Sequence, residues 1–142
     1  MLNRRLFLLF ASWPAALLRA KSAASARGRL RQAPLPPALV TPSGRVIALE
    51  GDDATQKVLH DPRLKDLDFE VDGALLAPGR FRIAPIHERA LFVWRGGRKL
   101  VVTYWCATCS IRAWVPGPCQ CCQEDMALDL RDPALKDTDP SD

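Results

Sequence analysis

All five cysteines of this 142-residue chain lie between Cys106 and Cys122. Four of them spell C-x2-C-x9-C-x2-C, as Cys106/Cys109 and Cys119/Cys122, with Cys121 caught inside the second pair. Two C-x2-C pairs on a short spacer can turn four thiolates onto one tetrahedral metal ion, normally zinc. Iron also accepts four thiolates, and copper(I) would suit the C-x-C-C group of Cys119, Cys121 and Cys122. That group makes Cys121 an alternate ligand to Cys122. A zinc ion held by four cysteines keeps no open position, so it would be structural and could not activate water. The rival chemistry is disulfide formation. An odd number of thiols leaves one over, a Cys121–Cys122 bridge would be strained, and Cys106–Cys109 would form a reducible pair.

Little else in the chain offers chemistry. His60 and His87 are the only histidines. His60 falls at an expected helix end, where an imidazole can meet terminal carbonyls, and His87 follows Pro85-Ile86. No Ser/His/Asp or Cys/His catalytic pattern, phosphate loop or nucleotide fingerprint occurs. Asp66, Asp68, Glu70 and Asp72 line one side of an expected strand and read as a solvated face. Trp94, Trp105 and Trp114, with Phe92 and Tyr104, read as packing around the cysteines. These residues favour a binding or accessory role over catalysis. A thiol redox or electron-transfer protein is the alternative, and a copper(I)-binding protein the second.

The elements that position the cysteines are mostly strands. Arg45–Glu50, Leu67–Asp72, Phe81–Ile83, Leu91–Trp94 and Lys99–Tyr104 are short apolar or alternating runs. Arg95-Gly96-Gly97-Arg98 is a tight-turn signal between the last two. One short helix is expected, capped by Asp53 with Gln56 three residues on, and stopping at Asp61-Pro62. Within the cysteine segment, Ser110–Val115 predicts a strand, Pro116-Gly117 a turn and Met126–Leu130 a return strand. Pro34, Pro36, Pro37 and Pro42 mark residues 27–44 as a Pro-rich linker. Residues 45–104 form the expected β-rich domain, 105–131 the cysteine module packed on it, and 132–142 an acidic disordered tail. The fold expected is mainly β: a small antiparallel sheet or partly closed barrel with one short helix, plus a C-terminal hairpin carrying the cysteines.

The first 26 residues read as an export signal. A basic head leads into an apolar run from Leu6 to Leu18, and Ala24-Ser25-Ala26 forms an A-x-A-type cleavage site before Arg27. The run is too short to span a bilayer, which takes roughly 20 residues. Arg4-Arg5-Leu6-Phe7-Leu8 resembles the R-R-x-F-L core of a bacterial twin-arginine signal peptide. An ordinary secretory peptide beginning with two arginines is the alternative. The resemblance implies export in the folded state through the twin-arginine machinery to the periplasm or beyond. A metal could then be loaded in the reducing cytoplasm and carried out in place. Four of the chain's 20 basic residues, Arg4, Arg5, Arg19 and Lys21, fall in this segment with no acid, leaving 16 against 16 acidic residues. A mature chain of zero formal charge loses the basis for binding nucleic acid.

Residues Tyr104 to Leu130 resemble the zinc-ribbon and rubredoxin-like knuckle families, which implies Cys106, Cys109, Cys119 and Cys122 as ligands. Pro116-Gly117-Pro118-Cys119-x-x-Cys122, with Met126 and Leu128 after it, is also similar to the end of short heavy-metal-binding modules. Ser110 and Gln123 stand where such knuckles often carry glycine. The order of elements upstream resembles small exported barrels of the oligonucleotide/oligosaccharide-binding type.

Overall fold

A computed structural model describes residues 23–135. The apolar run, the twin-arginine stretch and the last seven residues of the acidic tail lie outside them. Strand β1 (Ala24–Arg31) alternates inward Ala26, Gly28 and Leu30 with outward Ser25, Arg27 and Arg29. It is followed by β2 (Ala38–Val40), β3 (Val46–Glu50), helix α1 (Asp53–Leu59), β4 (Asp68–Ala77) and β5 (Arg80–Ile83). The strands close into a five-strand barrel in the order β1-β2-β3-β5-β4, with β4 returning to pair β1. All neighbours are antiparallel except β3 and β5, which α1 and β4 separate in the chain. Helix α1 lies between the third and fourth strands of the chain.

Residues 27–44, expected as a linker, carry most of β1 and all of β2. The prolines are confined to the loop before β2 and the turn after it. The period-two alternation of arginine with Gly28 and Leu30 is the strand signal that proline content masks. The ladder of β1 begins at Ala24, so the A-x-A triplet lies in the strand.

The barrel interior holds Leu30, Leu39, Leu49, Phe69, Val71 and Phe81, all buried. Burying such side chains is the main favourable term in folding. Helix α1 adds Val58 and Leu59 to the same core. Its N-cap is Asp52, whose carboxylate accepts from Thr55 N at 2.8 Å, one residue earlier than expected. Asp52 is extended, as a cap requires, while Asp53 already lies in the first turn. The helix does stop at His60, whose Nδ1 lies 2.7 Å from Gln56 O.

A second layer grows from β4. Strand β6 (Leu91–Arg95) pairs with β4 through Phe69↔Val93 and Val71↔Leu91. Further along the same strand, β4 pairs β5 from Gly73 onward. Gly73 marks the change of partner, and a Cβ there would sit 2.0 Å from Arg82 O. Strand β7 (Arg98–Cys106) returns from β6 through Gly96 (φ 59°) and Gly97 (φ 74°), the expected hairpin. Its second half pairs β8 (Ile111–Ala113) on one edge and β9 (Ala127–Arg131) on the other.

The outer face of this layer is charged and matched. Arg27 grips Asp68 through two hydrogen bonds of 2.9 and 2.7 Å and lies 4.2 Å from the Trp94 ring. Glu70 accepts from Lys99 Nζ at 2.8 Å and from Trp94 Nε1 at 2.6 Å. The acidic row of β4 is therefore paired through Asp68 and Glu70, where a solvated face was expected. Trp94, Trp105 and Trp114 are half-buried, and only Phe92 and Tyr104 of the expected aromatic packing are buried. Of the expected tail, Asp132 accepts from Arg98 and from Ala134 N, so order extends at least to Leu135.

Candidate metal centre

Cys106 is the last residue of β7, and the pair Cys106↔Ile111 closes the first knuckle onto β8. The second knuckle is closed by the bridge Pro118↔Asp125, with Cys119 N donating to Glu124 O at 2.7 Å and Met126 N to Gly117 O at 3.0 Å. Each knuckle turns its chain sharply after its second cysteine. Ser110 (φ 53°) and Gln123 (φ 64°) take up the left-handed conformation there. These are the two positions where glycine was expected. A side chain is tolerated at a cost of roughly 1 kcal/mol each.

The two knuckles face each other. The Sγ atoms of Cys106, Cys109, Cys119 and Cys122 all lie within 4.8 Å of one another, and Cys106 and Cys122 are 3.5 Å apart. Four thiolates around zinc, with metal–sulfur bonds near 2.3 Å, form a tetrahedron whose edges are about 3.8 Å. The set fits that shape, whereas a disulfide needs sulfurs about 2.05 Å apart. All five cysteines are unbridged. Cys106 and Cys119 are buried, Cys109 and Cys122 half-buried, and Cys121 is exposed and outside the group.

Backbone dipoles favour thiolate at one corner. The N–H groups of Cys122 and Cys121 point at Cys119 Sγ and lower its pKa to about 7, with the Cys121 contact at 3.4 Å. Cys109 is pushed up, first by the Cys121 thiol beside it and then by burial. Such a cluster holds protons that a metal ion must displace.

The centre is tied to the barrel by a buried polar strut that sequence reasoning did not foresee. Tyr104, fully buried, donates from Oη to Asp61 Oδ2 at 2.8 Å. Asp61 also pairs with Arg63, at 2.9 Å from Nη2. Arg63 Nη1 reaches on to Met126 O at 3.0 Å, in the segment after the second knuckle. Burial pushes the Asp61 carboxyl up, but Arg63 and the Tyr104 hydroxyl outweigh it and hold the group below its ordinary value. The same burial and the Asp61 hydrogen bond push the Tyr104 phenol up. The signal for the strut was present as Asp61-Pro62, read only as a helix terminator, and as Val102, Tyr104 and Cys106 on one face of β7.

His60 and His87 do not join the cysteines. His87 Nε2 sits 2.9 Å from Trp114 O, a tie between the loop before β6 and the end of β8. A separate cleft of about 930 Å³ lies beside α1, lined in part by Leu35, Pro37, Leu49, Glu50, His60 and Arg82. Among the described residues no helix is long and apolar enough to cross a membrane. No protein-family model, curated protein or solved structure matches this chain.

Proposed function

We propose that this chain is an exported metal-binding protein in which Cys106, Cys109, Cys119 and Cys122 hold one zinc ion. The observation that carries the reading is the convergence of four thiols from two facing knuckles within 4.8 Å. Four protein ligands fill the coordination sphere, so the ion is structural, stapling the β7–β9 ribbon as a hydrophobic core of this size benefits from. Binding energies of roughly 10–16 kcal/mol for such sites keep the thiolates occupied in an oxidising compartment. The role is then binding or accessory, with the barrel as the surface for it. Export rests on Arg4-Arg5 and the apolar run. The twin-arginine machinery suits a protein whose metal is loaded before it leaves the cytoplasm, and the destination is the periplasm or beyond.

Iron in the same four-thiolate site would make the protein an electron carrier. Copper(I) would draw on Cys121, which stands outside the four-sulfur group. Elemental analysis of natively purified protein tests the assignment and should find about one zinc per chain. Iron with visible thiolate colour would move the role to electron transfer. No metal together with no titratable thiols would overturn the metal reading altogether.

A further inference from the structure

The pairing of β1 bears on where the leader is removed, an inference that rests on the export reading above. Ala24-Ser25-Ala26 satisfies the small-residue rule for a cut before Arg27. Yet these residues hold the barrel shut. They supply three of the six registered positions between β1 and β4, opposite Gly73, Asp72 and Val71. That pairing closes the barrel. Ser25 Oγ donates to Asp72 Oδ1 at 2.6 Å, and Ala26 is buried within the core cluster. A chain that crosses the membrane folded presents the Ala26–Arg27 bond in the middle of a hydrogen-bonded strand. A peptidase cannot draw that bond into an extended substrate conformation without opening the barrel. A cut there would also discard half of the closing pairs.

Between the apolar run and β1, one triplet carries small residues at its first and third positions: Ala20-Lys21-Ser22. We propose that the leader is cut at the Ser22–Ala23 bond, so that the mature protein begins at Ala23 and keeps the whole of β1. The step is a hydrolysis. Water adds across that peptide bond, leaving a carboxylate on Ser22 and an α-ammonium on Ala23, with no other reactant. Ala24-Ser25-Ala26 is then a strand segment whose composition imitates a cleavage site.

The full chain can be produced in a bacterium with a twin-arginine pathway and its exported form read by intact mass and N-terminal sequencing. The expected product starts at Ala23. A start at any other residue, Arg27 above all, overturns the proposal. Unprocessed chain that stays in the cytoplasm would instead overturn the export reading, and the cut with it. A second measurement is independent of export. Chains beginning at Ala23 and at Arg27, each released from a cleavable tag, are compared by thermal melting. The shorter chain should melt about 10 °C lower or fail to fold, from lost ladder hydrogen bonds and core burial. Equal melting temperatures would remove the physical reason for the upstream cut.

Discussion

Replacing Tyr104 with phenylalanine should loosen the joint between the barrel and the cysteine module without touching a cysteine. The hydroxyl donates to a buried carboxylate, Asp61, at 2.8 Å. Hydrogen bonds to charged groups contribute roughly 1.5–3 kcal/mol. Asp61 Oδ2 keeps Arg63 at 2.9 Å, so it is not stranded, and the lower end applies. The expected loss is about 1.5 kcal/mol, or about 6 °C in melting temperature for a domain of this size. Asp61→Asn should cost more, about 2–3 kcal/mol, because it takes the charge out of the hydrogen bonds to both the buried Tyr104 hydroxyl and the exposed Arg63 guanidinium. The two variants part on acidification. The folded Asp61 carboxyl lies below its ordinary value, so its stabilisation is complete above about pH 4, near the unfolded pKa. It is lost as the pH falls through the folded value. Urea unfolding followed by tryptophan fluorescence, at pH 7 and at pH 3, measures both effects. The gap between wild type and Asp61→Asn should be full at pH 7 and narrow at pH 3. A Tyr104→Phe protein within 0.5 kcal/mol of wild type at pH 7 would refute the reasoning, as would an Asp61→Asn gap that widens in acid.

The centre itself invites sharper substitutions. Cys122→Ser should lower metal content well below one per chain, whereas Cys121→Ser should leave it unchanged; metal loss only in the Cys121 variant would reassign the fourth ligand. Ser110→Gly should stabilise the first knuckle by about 0.5–1 kcal/mol, because glycine takes the left-handed backbone without penalty, and chemical unfolding reads the gain. Gly73→Ala should cost about 3 kcal/mol or prevent folding, since its Cβ would meet Arg82 O at 2.0 Å; circular dichroism and melting check it.

The cysteine cluster was the most legible part of the chain. The spacing marked Cys106, Cys109, Cys119 and Cys122, with Cys121 as an alternate, because a C-x2-C turn is local and aims its own two sulfurs. It also placed Ser110 and Gln123 at the glycine positions of a knuckle, and both adopt the backbone that glycine would. Which of Cys121 and Cys122 lies with the other three thiols was not local. It depends on how the second knuckle faces the first, and Cys122 is the one within the group. The fate of residues 27–44 was obscured for a different reason. Their alternation covers only a few residues, and prolines on either side outweigh it unless the partner strand is known.

By itself the sequence determined what depends on short range: the β-rich composition, the Gly96-Gly97 hairpin, the end of the helix at Asp61-Pro62 and the thiol set. Tertiary structure decided what depends on partners far along the chain. Barrel closure joins Ala24 to Gly73, the change of strand partner falls at Gly73, and the strut joins Asp61 to Tyr104. The first and the last are contacts between residues 49 and 43 positions apart. Neither member of such a pair carries a local mark of the other, since pairing is set by the register of the closed barrel and burial by the core it encloses.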